Sequence, residues 1–257
     1  MRKIFNKFID DNILRKKKFV FISPHLDDAI LSAGDLLYYL SQKKANVRIV
    51  NVFTMGEGGM YTISAKRHLA KCGFNNAIDL YKERIDEDGR VFDYLGFEVI
   101  NLGFTDALYR KKRNVRPFVY LNIPELCHLY PFKVVGVGVS KGDEVLENEL
   151  GECIRKLDLE ECVVFCPIGF GGHVDHILTR EACTKMFSRA IYWRDISYSG
   201  KNGELTEFTK RVGIKRKVFI KNTQKKIELI KYYRTQVKEM FKKEGIVLSP
   251  EVYYLKI

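Results

Sequence analysis

Apolar residues along the chain fall into short continuous runs that alternate with longer stretches of helical spacing. The run 18–23 ends at Pro24, and Ile30, Leu31, Leu36, Leu37 and Leu40 then recur at helical intervals to about residue 42. This predicts a buried strand, a tight turn and a helix beginning near Asp28. A second strand is predicted at 47–53, followed by a Gly-rich loop, and a helix at 77–95 closed by Gly96, with a third strand at 97–102. Further on, the pattern predicts a strand at 133–139, a helix at 144–157, a strand at 162–166, a helix to about 187 and a strand at 190–195. Residues 200–213 read as an exposed loop. Asn222 is a good N-cap for a helix to about 243, with Ile227, Ile230, Val237 and Phe241 on its apolar face. Residues 1–17 read as a polar, amphipathic leader forming a short helix. The stretch 111–132, with three prolines and clustered charge, is the least regular and reads as a lid or rim loop that shapes substrate choice.

Strands that alternate with helices over long crossovers predict an α/β fold, a Rossmann-like three-layer α/β/α arrangement with a mainly parallel sheet covered on both faces. There is no internal repeat and no Ser/Gly linker, so one domain over residues 1–257 is expected.

Composition adds limits. No run of 18 apolar residues occurs, and the N-terminal segment has no signal-peptide pattern, which makes the cytoplasm the expected location. Six cysteines without Cys-x-x-Cys spacing suggest reduced thiols. The net charge of +12 comes mostly from lysines spread along the chain, with no finger, helix-turn-helix or aromatic-interleaved RNA motif beside them. A solvated basic surface is the plainer reading, and an attraction to phosphates is the alternative.

The chemistry sits at two strand ends. His25-Leu-Asp27-Asp28-Ala29 follows the first strand, and His173-Val-Asp175-His176 follows the strand at 162–166 after a Gly-rich turn. In an open α/β sheet, ligands bind outside the carboxyl ends of strands. Histidine nitrogens and carboxylate oxygens gathered there suit a divalent metal such as zinc, with three protein ligands and a water. Taken alone, Asp27 and Asp28 could equally be helix caps. On a helix these neighbours diverge by roughly 100°, so one could face a metal while the other faces its water. His173 and His176, three apart, would share a helix face. His68 and His128 lack such a setting and read as structural or surface residues.

The two motifs resemble the signature pair of the PIG-L (LmbE-like) family of zinc-dependent de-N-acetylases, His-Pro-Asp-Asp-Glu and His-Pro-Asp-His. Leu26 and Val174 stand where that pattern has proline, and Ala29 where it has glutamate. Weaker similarities lie in Arg84-Ile-Asp-Glu87, in Thr105-Asp106-Ala-Leu-Tyr-Arg110, in Tyr192-Trp-Arg-Asp195 and in Tyr233-Arg-Thr-Gln236, so the resemblance covers roughly residues 18–255. It implies that His25, Asp28 and His176 bind Zn2+ and that Asp27 is the general base. It further implies that His173 stabilises the oxyanion or acts as an acid, with Asp175 steering it. Arg84, on spacing alone as readily a helix-surface residue, would bind a substrate hydroxyl or phosphate. The implied reaction removes an N-acetyl group from a GlcNAc-like amino sugar, a small molecule of a glycoconjugate, thiol or antibiotic pathway. A lipid-linked sugar at a membrane surface is the first alternative. A basic nucleic-acid-binding protein with a structural metal is the second.

Overall fold

The computed structural model describes residues 2–113, 123–159, 161–196, 203–219, 223–240 and 250–256. In chain order the elements are α1 (Arg2–Leu14), β1 (Phe19–Ser23), α2 (Asp28–Gln42), β2 (Val47–Met55), α3 (Ile63–Cys72), α4 (Ala77–Leu95) and β3 (Glu98–Thr105). There follow α5 (Pro124–Cys127), α6 (Glu144–Arg155), β4 (Val163–Pro167), α7 (Val174–Met186), β5 (Ile191–Trp193), α8 (Gly203–Val212), β6 (Ile214–Phe219), α9 (Thr223–Ile230), α10 (Arg234–Met240) and β7 (Glu251–Lys256).

Among the described residues the strands form one sheet in the order β3-β2-β1-β4-β5-β7-β6. The first five are mutually parallel, whereas β7 runs antiparallel to both β5 and β6. The order reverses at β1, which pairs with β2 on one side and β4 on the other, through Phe19↔Val47 and Phe19↔Val163. The carboxyl ends of β1 and β4 therefore lie side by side at the switch point, the place where open α/β sheets bind ligands. Period-two alternation sorts the core. Phe19 and Phe21 face one layer with Leu36, Leu37, Phe92 and Leu229, and Val20 and Ile22 face the other with Leu150, Leu178 and Phe208.

The mainly parallel α/β sheet follows the sequence pattern, with differences that packing explains. The segment 133–139 is not a strand. Val135 makes only an isolated bridge to His173, and Gly136 and Gly138 take positive φ values that break a ladder. The run 203–212 is the helix α8, because Phe208 is buried against Tyr192 with their rings 5.4 Å apart; 200–202 lie outside the described residues. The helix expected from Asn222 is two helices, α9 and α10, with Asn222 and residues 241–243 outside the described residues. It breaks where Tyr233 is buried and donates to Asp88 Oδ1 at 2.7 Å, and where Glu87 caps the new start by accepting from Thr235 N at 3.0 Å. The leader is part of the core: Phe5 and Ile9 of α1 are buried, and Phe5 stacks on Tyr253 at 5.0 Å. Of the irregular stretch 111–132, residues 114–122 lie outside the described residues, and α5 follows them.

Helix α2 is kinked at Ala33 (φ −134°, ψ 19°), which frees backbone donors one turn inside it. Glu251 takes them up, accepting from Asp35 N at 2.8 Å and Leu36 N at 3.2 Å, while Lys226 Nζ lies 2.8 Å from the same carboxylate. A Cβ on Gly34 would meet Lys226 Cγ at 3.0 Å, so the bare glycine leaves room for the lysine stem. Asp35 is buried beside this pair. Burial, and then the charge of Glu251, push its carboxyl from 3.8 up to about 7 despite Lys226. At this group the folded protein therefore holds a proton that the unfolded chain has released, so the contribution of Asp35 to stability falls as pH rises from about 4 to 7 and is flat above. Asp35→Asn removes this dependence. Its denaturant midpoint is expected to match wild type near pH 4, to gain on it up to pH 7, and to hold that lead above, in unfolding curves taken across the range.

Candidate active site and metal centre

The turn after β1 builds the first half of the site. Ser23 Oγ donates to His25 O at 2.7 Å and accepts from Ala29 N at 3.1 Å, fixing a tight loop. Asp27 adopts φ 154° and ψ −29°, a costly conformation for a residue with a Cβ, and makes no side-chain cap. This turn, rather than helix geometry, separates the two aspartates. Asp28 opens α2 and points Oδ2 between His25 Nδ1 (3.0 Å) and His176 Nε2 (3.1 Å), whereas Asp27 Oδ1 lies 3.6 Å from Arg84 Nη2.

The second half comes from the turn after β4. Gly169, Gly171 and Gly172 all take positive φ there, which bends the chain sharply into α7. His173 sits at the N-cap of α7, where Nδ1 accepts from Asp175 N at 3.2 Å, and in the neutral ring this places the proton on Nε2. The His173 ring lies 4.9 Å from that of His25 and 5.1 Å from that of His176. Tertiary structure thus brings together five of the seven residues singled out in the sequence, His25, Asp28, His173, Asp175 and His176, with Asp27 and Arg84 beside them.

Burial disfavours charge on His25, but Asp175, Asp28 and Asp106 outweigh it and raise the ring to about 9. His176 goes the same way against burial, through Asp28 and Asp195. Asp28 stays well below the usual carboxylate range despite burial because both histidines face it. His173 is pushed down to about 3 by burial and by the charge of His25, so it is a neutral ring. Burial lifts Asp27 to about 7 against the pull of Arg84.

His25, Asp28 and His176 present donor atoms that all lie within 4.8 Å of one another. The 3.0 and 3.1 Å separations from Asp28 Oδ2 are close to the edge, about 3.3 Å, of a tetrahedron of ligands at ~2.0 Å from one ion. Two imidazoles that attract protons around one carboxylate are a site in which a divalent cation replaces those protons, and these residues fit such a metal. Each histidine is backed on its other nitrogen by a carboxylate with 0 % exposure. His25 Nε2 is 3.0 Å from Asp175 Oδ2, and His176 Nδ1 is 2.7 Å from Asp195 Oδ1. Such partners hold the tautomer and ring plane of a metal ligand. Asp195 also accepts from Phe170 N at 2.7 Å, which ties the end of β5 to the Gly-rich turn.

Arg84 is only 4 % exposed, donates from Nη1 to Tyr81 OH at 3.2 Å and stacks over the Tyr81 ring. Tyr81 in turn donates to Asp106 Oδ2 at 2.5 Å, and Asp106 lies 3.4 Å from His25 Nε2. Asp106, Asp195, Tyr81 and Arg110 were not singled out as site residues in the sequence. The usable signal was position, because Asp106 and Asp195 follow β3 and β5 at the same sheet edge. His68 and His128 lie elsewhere, bonded to Tyr109 OH and Pro124 O.

The fold and this pair of histidine motifs define a protein of the PIG-L class, and residues 20–187 match the model of that family, described as GlcNAc-PI de-N-acetylase. The chain belongs to the PIG-L family. It is 24% identical over 268 residues to a 2'-N-acetylparomamine deacetylase of Niallia circulans, covering 94% of this chain and 91% of the relative. A 2'-N-acetylparomamine deacetylase of Streptomyces fradiae is 28% identical over 193 residues, 73% of this chain and 60% of that one. Among solved structures, a deacetylase of teicoplanin biosynthesis superposes with a TM-score of 0.70 at 22% identity, covering 93% of this chain and 97% of that one. The A40926 pseudoaglycone deacetylase Dbv21 does so with a TM-score of 0.64 at 23% identity, covering 94% and 97%. At such identities the superpositions speak for the fold. No helix among the described residues is long and apolar enough to cross a membrane.

Proposed function

We propose that this protein is a zinc-dependent hydrolase that removes the N-acetyl group of a GlcNAc-like amino sugar, with an acetylated aminoglycoside-type sugar of an antibiotic pathway as the favoured substrate. The observation that carries the reading is the convergence of His25, Asp28 and His176 with Asp27 and His173 at the carboxyl ends of β1 and β4. The two relatives named for deacetylation of a 2'-N-acetyl amino sugar support the choice of substrate.

His25, Asp28 and His176 would hold the zinc, which when bound supplies Lewis acidity to the amide carbonyl and lowers the pKa of water. Asp27 takes a proton from the attacking water and returns it to the leaving amine. His173, neutral with its proton on Nε2, donates to the oxyanion that develops as the carbonyl carbon becomes tetrahedral. Asp175 backs His25 and, through its backbone N–H, also orients His173. Arg84 offers a planar fork to a substrate hydroxyl or phosphate at the floor of the site beside Asp27.

Metal analysis of purified protein is expected to find about one zinc per chain, lost in His176→Ala, which removes a nitrogen ligand. The zinc-loaded protein should release acetate and an equal amount of free amine from at least one member of a panel of N-acetylated amino sugars, N-acetylglucosamine and N-acetylated aminoglycoside fragments included. Zinc retained in full by His176→Ala, or no acetate from any member of the panel, would overturn the reading.

A further inference from the structure

Arg110 stands outside the groups assigned to the reaction, yet it is the most heavily engaged side chain around them. It follows the short 3-10 turn Ala107–Tyr109 and is 6 % exposed. Nη1 lies 2.6 Å from Asp175 Oδ1 and donates to Thr105 O at 2.8 Å, while Nε and Nη2 both reach Asp143 Oδ2, at 3.1 and 2.8 Å. Its plane is held over the Phe53 ring at 5.1 Å and the Tyr130 ring at 5.5 Å. A guanidinium used on every edge and on a face has one orientation available, and lysine cannot reproduce it.

Both carboxylates it joins lead somewhere. Asp175 Oδ2 accepts from Ala107 N at 2.9 Å and faces His25 Nε2. Asp143 Oδ2 accepts from Tyr130 OH at 2.8 Å, and Tyr130 OH accepts from Ser140 N at 2.8 Å. A continuous chain of hydrogen bonds and one buried ion pair, Arg110–Asp175, therefore runs from the segment 130–143, through Asp143, Arg110 and Asp175, to His25. The same segment touches the second motif directly, where Val174 N donates to Val134 O at 3.0 Å and Gly136 N to Gly172 O at 2.9 Å.

We infer that Arg110 is a positioning residue for the metal centre: acting through Asp175 it sets the ring plane and tautomer of His25, and through Asp143 it couples the segment 130–143 to that ligand. The inference rests on the assignment of His25 as a ligand under the proposed function. The physical reason is that Asp175 is held at one oxygen by Arg110 and at the other by Ala107 N, which aims Oδ2 at the His25 ring. Without Arg110, Asp175 loses the partner on Oδ1 and can swing, and His25 loses the fixed acceptor that orients it.

The test reads zinc affinity by competition with a chromophoric chelator, on apoprotein whose fold is checked by circular dichroism. Arg110→Lys, which keeps the charge and loses the fork, and Asp143→Asn, which loosens the outer end, keep a folded variant available if Arg110→Gln does not fold. Arg110→Lys and Arg110→Gln are expected to bind zinc about 10–100-fold more weakly, the usual effect of removing such support. Asp175→Asn should do the same, and Arg110→Gln/Asp175→Asn should be no weaker than the worse single variant, because both cut one chain. Asp143→Asn should show a smaller loss in the same direction. Cobalt(II) bound to Arg110→Lys should give a visible absorption band shifted from wild type, which a purely structural role would leave in place. A folded Arg110→Lys with wild-type zinc affinity and cobalt spectrum overturns the inference, as does strict additivity in the double variant. Zinc retained in full by His25→Ala instead defeats the ligand assignment itself, so the two failures are told apart.

Discussion

Asp27→Asn is expected to keep its metal and its fold while turnover falls by about 10²–10⁴-fold, the usual worth of a positioned general base. The substitution is isosteric and leaves His25, Asp28 and His176 in place. The neighbouring change has the opposite signature. Asp28→Asn puts a neutral amide where both histidines face an anion, and removes the negative charge at the start of α2, so metal binding weakens. Metal content and turnover measured on both variants separate the roles. A metal-loaded Asp27→Asn protein near wild-type rate would assign the base to another group. Metal lost from Asp27→Asn but kept in Asp28→Asn would exchange the two assignments.

Glu251→Ala is expected to cost about 3–5 kcal/mol in folding stability, the range seen when one partner of a buried ion pair is removed. Lys226, at 0 % exposure, would be left without the carboxylate 2.8 Å from its Nζ. Asp35 N, Leu36 N and the Tyr253 hydroxyl, which donates to Glu251 Oε2 at 2.7 Å, would lose their acceptor too. Asp35 can ionise to offset part of the lysine charge, which places the loss toward the lower end near neutral pH. The double variant Lys226→Met/Glu251→Gln leaves no buried charge on the pair and should recover much of the stability. Denaturant unfolding of the three proteins checks this. If Glu251→Ala unfolds within about 0.5 kcal/mol of wild type, the buried pair is not what secures the kink in α2.

Much of the parallel core was legible because its signals are local. Buried strands such as 19–23 and 163–167 are short apolar runs, and α4 carries an N-cap at Asn76 and an αL glycine at Gly96, each readable within a few residues. The antiparallel edge was not legible. β6 is a lysine-rich edge strand whose pattern does not differ from a loop, and only its pairing with β7 makes it a strand. The same holds for α9 and α10, where helical spacing continues through Tyr233 and only its contact with Asp88 on a distant helix sets the break.

The sequence by itself determined the edge of the sheet where the two histidine-acid motifs meet, because such a motif directly after an apolar run can point only at that strand's carboxyl end. Which strands stand side by side was decided by the fold, since adjacency of β1 and β4 depends on crossovers that no local pattern records. Only there do His25 and His176 come to share Asp28. The supporting carboxylates were likewise decided in three dimensions. Asp143 is an ordinary acid in the chain, and Asp106 and Asp195 lie in segments whose similarity to the family gave them no role; each becomes a support because burial forces it to find a donor and the donors within reach lead to His25 or His176.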